Sequence, residues 1–439
     1  MVRPAVYGVA VFFVLGLLVL SCRDQLKDEF YPDGILKHKE PLWKTDVSVN
    51  SLLAHGVYTP TTLFGGAVLM SAATDFEYVK GSGVCRPGLV MLDVETGRIR
   101  WKWEDYMYDR ERLFLAGRYI FSDRMVFHIG SRTYCVNLST GKTEWRKWKA
   151  DSLNPIGPRA ISGIDDRYFF TARVMREDCV SYQPAKLYED NVFQPAPEKE
   201  VMNPQLQHEY FGNTPIPRGA VFFQPTVLDG DTVIAVSYQA PVADGEYNMI
   251  TCAFGLYNLD KKEWMYKDQV LLKPQRSGVV DWCPVIYDGK IYWNANRDIV
   301  CNDLRTGREI WRKAFRQDFL FTSLIIEENK VIANNEDTWL YALDVNKGAE
   351  LWKTPSAGTS SQLIYLDGYV YYTGGGDGLL HAVDVSDGKT MWKLSSPDLT
   401  TDAGTHFLRE IAGVPAKNGK KGRVMVTTGR HVYCYEAIR

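Results

Sequence analysis

The chain has 439 residues, with 53 Asp and Glu against 51 Lys and Arg, 13 % aromatic residues and 36 glycines. A formal net charge of −2 supplies no field that would recruit nucleic acid, and no tract of clustered Lys or Arg supplies a local one. The composition excludes a disordered polymer and describes a turn-rich globular protein with enough apolar side chain for a large core.

The first element is a targeting segment. Arg3 precedes an apolar run from Ala5 to Leu20, closed by Val19-Leu20-Ser21-Cys22. A spanning helix needs about 20 apolar residues, so the run is short for a transmembrane anchor. Its closing tetrapeptide resembles the bacterial lipobox, which implies cleavage before Cys22 and a diacylglycerol on that thiol. Residues 1–21 are therefore expected to be a lipoprotein signal peptide. Residues 22–41, charged and without apolar period, are expected to be a lipid tether, and 42–439 the folded body.

From Trp43 in PLWKTD onward the chain repeats itself. The segments MLDVETGRIRW, VNLSTGKTEW, NDLRTGREIW, ALDVNKGAELW and AVDVSDGKTMW end at Trp101, Trp145, Trp311, Trp352 and Trp392. In each copy an Asp or Asn stands eight positions before the Trp and a Gly four before it, as in Asp93, Gly97 and Trp101. Alternation upstream, as in TWLYALD, predicts a strand. The Gly predicts a tight turn with positive φ, where the Asp or Asn can bond its own backbone. The Trp ends a second short strand; being large with one N–H donor, it is suited to dock between neighbouring repeats. A further turn signal precedes the hairpins: LDGDT at Gly230, YDGKI at Gly289 and LDGYV at Gly368. Two hairpins per period make a four-stranded antiparallel blade of a β-propeller, and no helical period appears after the signal segment.

Two copies are degenerate. YNLDKKEW keeps the strand and Trp264 but shortens the turn. Between Trp145 and Ala220 no Trp anchors the unit; RYFFTARV and CVSYQPAKLY predict its middle strands, followed by an irregular stretch from 184 to 217. At the C-terminus GRVMVTTG and RHVYCYEAI predict strands without an outer partner, and the strand at Trp43 has nothing before it. Joining them gives the expected architecture: all-β, an eight-bladed β-propeller whose ring is closed by the N- and C-terminal strands. Its blade anchors are expected to be Trp43, Trp101, Trp145, Trp264, Trp311, Trp352 and Trp392.

The xAxDxxTGxxxW pattern resembles the PQQ-like repeat family, over about 45–437. With the segment ending at Cys22, the chain is similar to the BamB-type lipoproteins of the outer-membrane β-barrel assembly machinery. That resemblance implies a non-catalytic protein-binding scaffold without cofactor, lipid-anchored in the cell envelope at the outer membrane. The same repeat family holds quinoprotein dehydrogenases, which implies an alternative: oxidation of an alcohol or sugar with PQQ and Ca²⁺. A carbohydrate-binding propeller is a third reading. The family's dehydrogenases seat the quinone under a disulfide of adjacent cysteines, and this chain has no Cys-Cys dipeptide. Asp281-Trp282-Cys283 is the nearest cluster to a site, and a blade-entry strand explains it equally well.

Other chemistry is not signalled. His38, His55, His128, His208, His381, His406 and His431 include no HExxH or paired metal spacing. The run from Gly374 to Gly378 lacks the following helix of a phosphate loop and reads as a strand connection. Cys135, Cys301 and Cys434 share the repeat position of Ala342 and Ala382, a small core site. Cys252 lies on the corresponding strand; Cys85, Cys179 and Cys283 receive no assignment. The connections 76–87, 184–217 and 240–248 are longer than linking strands requires, so their face is expected to dock an envelope protein or a glycan.

Overall fold

The two positive-φ residues Asp288 (47°) and Gly289 (68°) close a two-residue hairpin of the kind whose twist matches its strands. Asp367 (48°) and Gly368 (93°), Asp229 and Gly230, and Gly65 and Gly66 do the same elsewhere. The computed structural model describes residues 29–47, 62–79, 82–103, 105, 118–129, 132–148, 160–163, 168–173, 186–191, 199–202, 219–244, 247–275, 284–317, 319, 324–358, 360–400, 405–408 and 410–439. The signal segment, Cys22, Cys179 and Asp281-Trp282-Cys283 lie outside the described residues.

These residues form four-stranded antiparallel sheets in a regular succession. Seven are built from consecutive strands: sheet I spans 62–103, II 118–148, III 160–202, IV 219–275, V 285–314, VI 325–355 and VII 364–394. An eighth, sheet VIII, combines Ile411–Val414, Arg423–Thr427 and His431–Glu436 with Trp43–Asp46 as its outer strand. The two chain ends pair from Trp43↔Cys434 to Asp46↔His431. Among the described residues the helical element is a single 3₁₀ turn, Pro397–Thr400.

Period-2 alternation lets each strand feed two cores. In sheet V, Ile291 and Trp293 pack with Phe254 and Leu256 of sheet IV, whereas the intervening Tyr292 packs with Tyr341 and Leu343 of sheet VI. Equivalent cores join VI to VII, VII to VIII, VIII to I and I to II. The first strand of III touches the first strands of II and IV. Cys135, Cys252, Cys301 and Cys434 are buried within these cores.

Between sheets a second device recurs. The indole of Trp43 donates to Val94 O (2.9 Å), that of Trp101 to Leu138 O (2.9 Å), Trp311 to Val345 O (3.1 Å) and Trp352 to Val385 O (2.9 Å). Each ring lies on the turn Gly of the next sheet: Gly97, Gly141, Gly348 and Gly388. Those turns are held as the sequence suggests, Asp93 Oδ1 accepting from Thr96 N (2.9 Å) and Asn137 Oδ1 from Thr140 N (3.0 Å). Trp145 is buried at 8 % exposure. Trp392 sits in the core between VII and VIII, edge-on to Tyr371 at 5.4 Å. At the degenerate copy the lock falls to Tyr266, two residues past Trp264. Its hydroxyl donates to Leu304 O (3.0 Å) and its ring covers Gly307, while Trp264 packs edge-on to Tyr257 of its own sheet at 5.3 Å.

Three sequence expectations are corrected. Residues 76–87 and 240–248 are not loops but parts of two strand pairs, Ala67–Val79 with Ser82–Asp93 and Asp231–Asp244 with Tyr247–Asn258. Their alternation continues through Phe76, Tyr78 and Val84, and through Val242 and Met249, so the strands run on. The stretch 184–217 is not wholly irregular, since it contains Lys186–Asn191 and Lys199–Met202, the last two strands of sheet III. Its third strand includes Lys186–Tyr188 of the predicted CVSYQPAKLY, and the earlier residues of that segment lie outside the described ones. Lys, Glu, Asp and Asn dominate it, and cross-strand pairing overrides their weak strand preference.

Candidate docking face

The connections between second and third strands leave each sheet at the end opposite the Asp–Gly turns. The rungs Lys290↔Asp303, Lys330↔Asp344, Tyr369↔Asp384 and Arg423↔Glu436 are equivalent. Four residues beyond them stand Asn294, Asn334, Thr373 and Thr427, all buried. This position points toward the next sheet, and in sheets VI and VII it pins the segment crossing to it. Asn334 donates to Gly358 O and accepts from Ser356 Oγ; Thr373 donates to Leu408 O (2.7 Å). A buried polar group must find such a partner or carry a desolvation cost, so the face is knitted rather than loose.

Two carboxylates are built into it. Asp398, fully buried on the 3₁₀ turn, accepts from Tyr433 Oη (2.6 Å), Thr428 Oγ1 and His431 Nδ1 (2.9 Å). Burial pushes its pKa up, but the bonds from Thr428, Tyr433 and His431 outweigh this and hold it below the ordinary carboxylate value. Burial and the same carboxylate raise Tyr433. Asp377, inside the Gly374–Gly378 run, accepts from Leu379 N (3.1 Å) and faces His381 Nε2 at 3.0 Å. Burial raises this carboxyl too, and the bond and charge of His381, the Leu379 amide and the Lys393 charge together more than offset it. His381 stacks on Tyr372, ring centroids 4.7 Å apart and nearly parallel. The glycine run is thus a turn wound around a carboxylate.

Asp398 is held by three donors of the chain itself, whereas Asp377 has two and keeps 34 % of its side chain exposed. Among the described residues no group of three His, Cys, Asp or Glu side chains is placed to hold a metal ion.

Among the described residues two sheets reach past the others on this face. In sheet V the second and third strands pair over six rungs, from Lys290↔Asp303 to Ala295↔Asp298. In sheet I the equivalent pairing runs from Ala67↔Asp93 to Val79↔Ser82, and in sheet IV it extends to Asp244↔Tyr247. At about 3.4 Å per residue, the six or so extra rungs carry each hairpin roughly 20 Å further. Among the described residues the outer strand of sheet I pairs no further along than Leu89↔Trp103, and its hairpin continues there as a two-stranded ribbon. The sequence flagged both segments by length and missed that they were strands.

No curated protein matches the chain by sequence. Solved structures match in fold. A europium-containing methanol dehydrogenase is 12 % identical with a TM-score of 0.57, covering 91 % of this chain and 93 % of that one. The C-terminal WD40 domain of Sif2 is 10 % identical with a TM-score of 0.55, covering 92 % and 100 %. BamB from Moraxella catarrhalis is 14 % identical with a TM-score of 0.48, covering 84 % and 98 %. At such identities the dehydrogenase and the WD40 domain establish a β-propeller fold and nothing of activity. A family model described as outer membrane protein assembly factor BamB matches residues 260–439. The outer strand of sheet IV and the sheets that follow it thus carry the PQQ-like repeat of that family.

Proposed function

We propose that the protein is a non-catalytic scaffold of the cell envelope that captures protein partners during outer-membrane protein assembly. In this reading residues 42–439 are an eight-bladed propeller closed into a ring by sheet VIII, residues 1–21 are removed, and a lipid on Cys22 holds the molecule at the outer membrane. The observation that carries it is the pair of extended hairpins on one face. A two-stranded ribbon with a free edge can add a strand from a partner through main-chain bonds. The match of residues 260–439 to the assembly-factor family supports the same direction.

The test is to shorten the hairpins at the rungs Ala72↔Gly88 or Ala240↔Thr251, replacing 73–87 or 241–250 by a two-residue Asn-Gly turn, and to cross-link the protein in its native envelope. Loss of the captured proteins with an unchanged thermal midpoint is the expected result. Undiminished cross-linking in both variants would overturn the assignment of this face. Dye reduction by an alcohol or sugar after addition of PQQ and Ca²⁺ would overturn the non-catalytic reading, and retention of a glycan by the intact face would replace protein by carbohydrate as the ligand.

A further inference from the structure

Residues ahead of Trp43 are not free of the body. Phe30 and Leu36 form an antiparallel bridge around the turn Pro32-Asp33-Gly34, with Tyr31 N donating to Ile35 O (2.8 Å) and Lys37 N to Glu29 O (2.6 Å). This small hairpin is added to the outer edge of sheet VII. Leu36 bridges Trp392 in parallel; its N–H donates to Met391 O (2.8 Å), and Lys393 N donates to Leu36 O (2.9 Å). The Leu36 side chain packs on the core between VII and VIII, and the Lys39 ammonium lies 5.0 Å from the Trp392 ring.

We infer that this hairpin is a clip that shortens the membrane leash and holds the outer rim of sheet VII close to the lipid surface. The inference rests on the lipid at Cys22 proposed above. At about 3.5 Å per residue, the stretch from Cys22 to Glu29 spans at most about 25 Å, against about 70 Å from Cys22 to Trp43 with the clip undone. The partner of this rim is a bilayer. Phe30 and Leu42, 53 % and 49 % exposed, face outward beside the clip. The charges there are mixed, with His38 near Glu40 (3.2 Å) and Lys421 near Glu436 (3.3 Å). Attraction therefore comes from the anchor, and the clip supplies orientation.

The experiment uses the full lipidated protein on phosphatidylethanolamine/phosphatidylglycerol vesicles containing an energy-transfer acceptor. A fluorophore is placed through an unnatural residue at exposed Lys389, in the last turn of sheet VII, or at exposed Lys142 of sheet II. Transfer severalfold more efficient from position 389 is expected. Leu36→Pro, which deletes the N–H bonded to Met391, should bring the two positions to similar values. Equal transfer in the unmodified protein overturns the orientation. Hydrogen exchange on lipid-free protein reads the clip alone: the Leu36 and Lys393 amides should be protected in the unsubstituted protein and the Lys393 amide should lose protection in Leu36→Pro, and fast exchange without the substitution overturns the clip. Absence of a lipid on Cys22 by mass spectrometry, with vesicle binding unaffected by Cys22→Ser, would instead sink the anchoring on which the inference rests.

Discussion

The indole of Trp311 lies on Gly348 of the next sheet so closely that a Cβ there would sit 2.5 Å from its Cε3. The Gly also has φ of 65°, so it meets two demands at once. Gly348→Ala is expected to cost about 2–4 kcal/mol, with about 1–2 from the left-handed backbone and the rest from overlap with the ring. Trp311→Ala should cost about 3–5 kcal/mol. Combined, the two should cost less than their sum, because removing the ring removes the overlap. Denaturant titration of the three variants checks this; strict additivity would mean the contact carries no energy.

Tyr266 rather than Trp264 is expected to hold sheets IV and V together. Tyr266→Phe removes the bond to Leu304 O and should cost about 1 kcal/mol. Tyr266→Ala should cost more than Trp264→Ala, although tryptophan is the larger residue. The reverse order in thermal unfolding would return the anchor to Trp264.

Acid should loosen the crossing into sheet VIII. Because the Asp398 carboxyl is held below its ordinary value, the folded state gives up this proton at lower pH than the unfolded chain does. Its contribution is fully present above about pH 4, the unfolded carboxylate value, and is lost as pH falls through the lower folded value. Asp377 acts with the same sign. Asp398→Asn should cost about 1–3 kcal/mol at pH 7 and flatten the decline below pH 4. An unchanged slope of stability against pH in the variant would contradict this.

Buried thiols should be inert until the chain opens. Burial pushes Cys135 and Cys434 up to about 12 and Cys301 up to about 11, so almost no thiolate exists at neutral pH. Alkylation followed by mass spectrometry should leave them unmodified in native protein and modify them in denaturant. Rapid native labelling of Cys434 would show that sheet VIII opens readily.

Much of this fold was legible because one residue often serves two purposes. Gly141 was readable from turn chemistry alone, yet its closest constraint is the ring of Trp101 above it. The turn at Glu328 and Asn329, with φ of 48° and 57°, carries no Gly and was silent in the sequence. The end of Lys186–Asn191 was missed because its pairing with Tyr168–Arg173, not its own composition, makes it a strand. The tyrosine lock was hidden since a Trp stood two residues away in the expected place. The pinning position at Asn334 and Thr373 becomes visible only when register aligns residues that differ in type. The long hairpins were singled out correctly as unusual and wrongly as loops, since length shows that a segment exceeds its task while alternation shows what it forms.

Sheet VIII couples strands made far apart in synthesis. Trp43–Asp46 leaves the ribosome long before His431–Glu436, the strand that receives it. Until then the early strand has no rung to bond, and pairing across so long a separation is slow to form. A premature stop would therefore produce an unlatched body rather than a shorter one, with a bare edge on offer to any neighbouring chain. Quality control in such a molecule turns on whether His431–Glu436 has arrived.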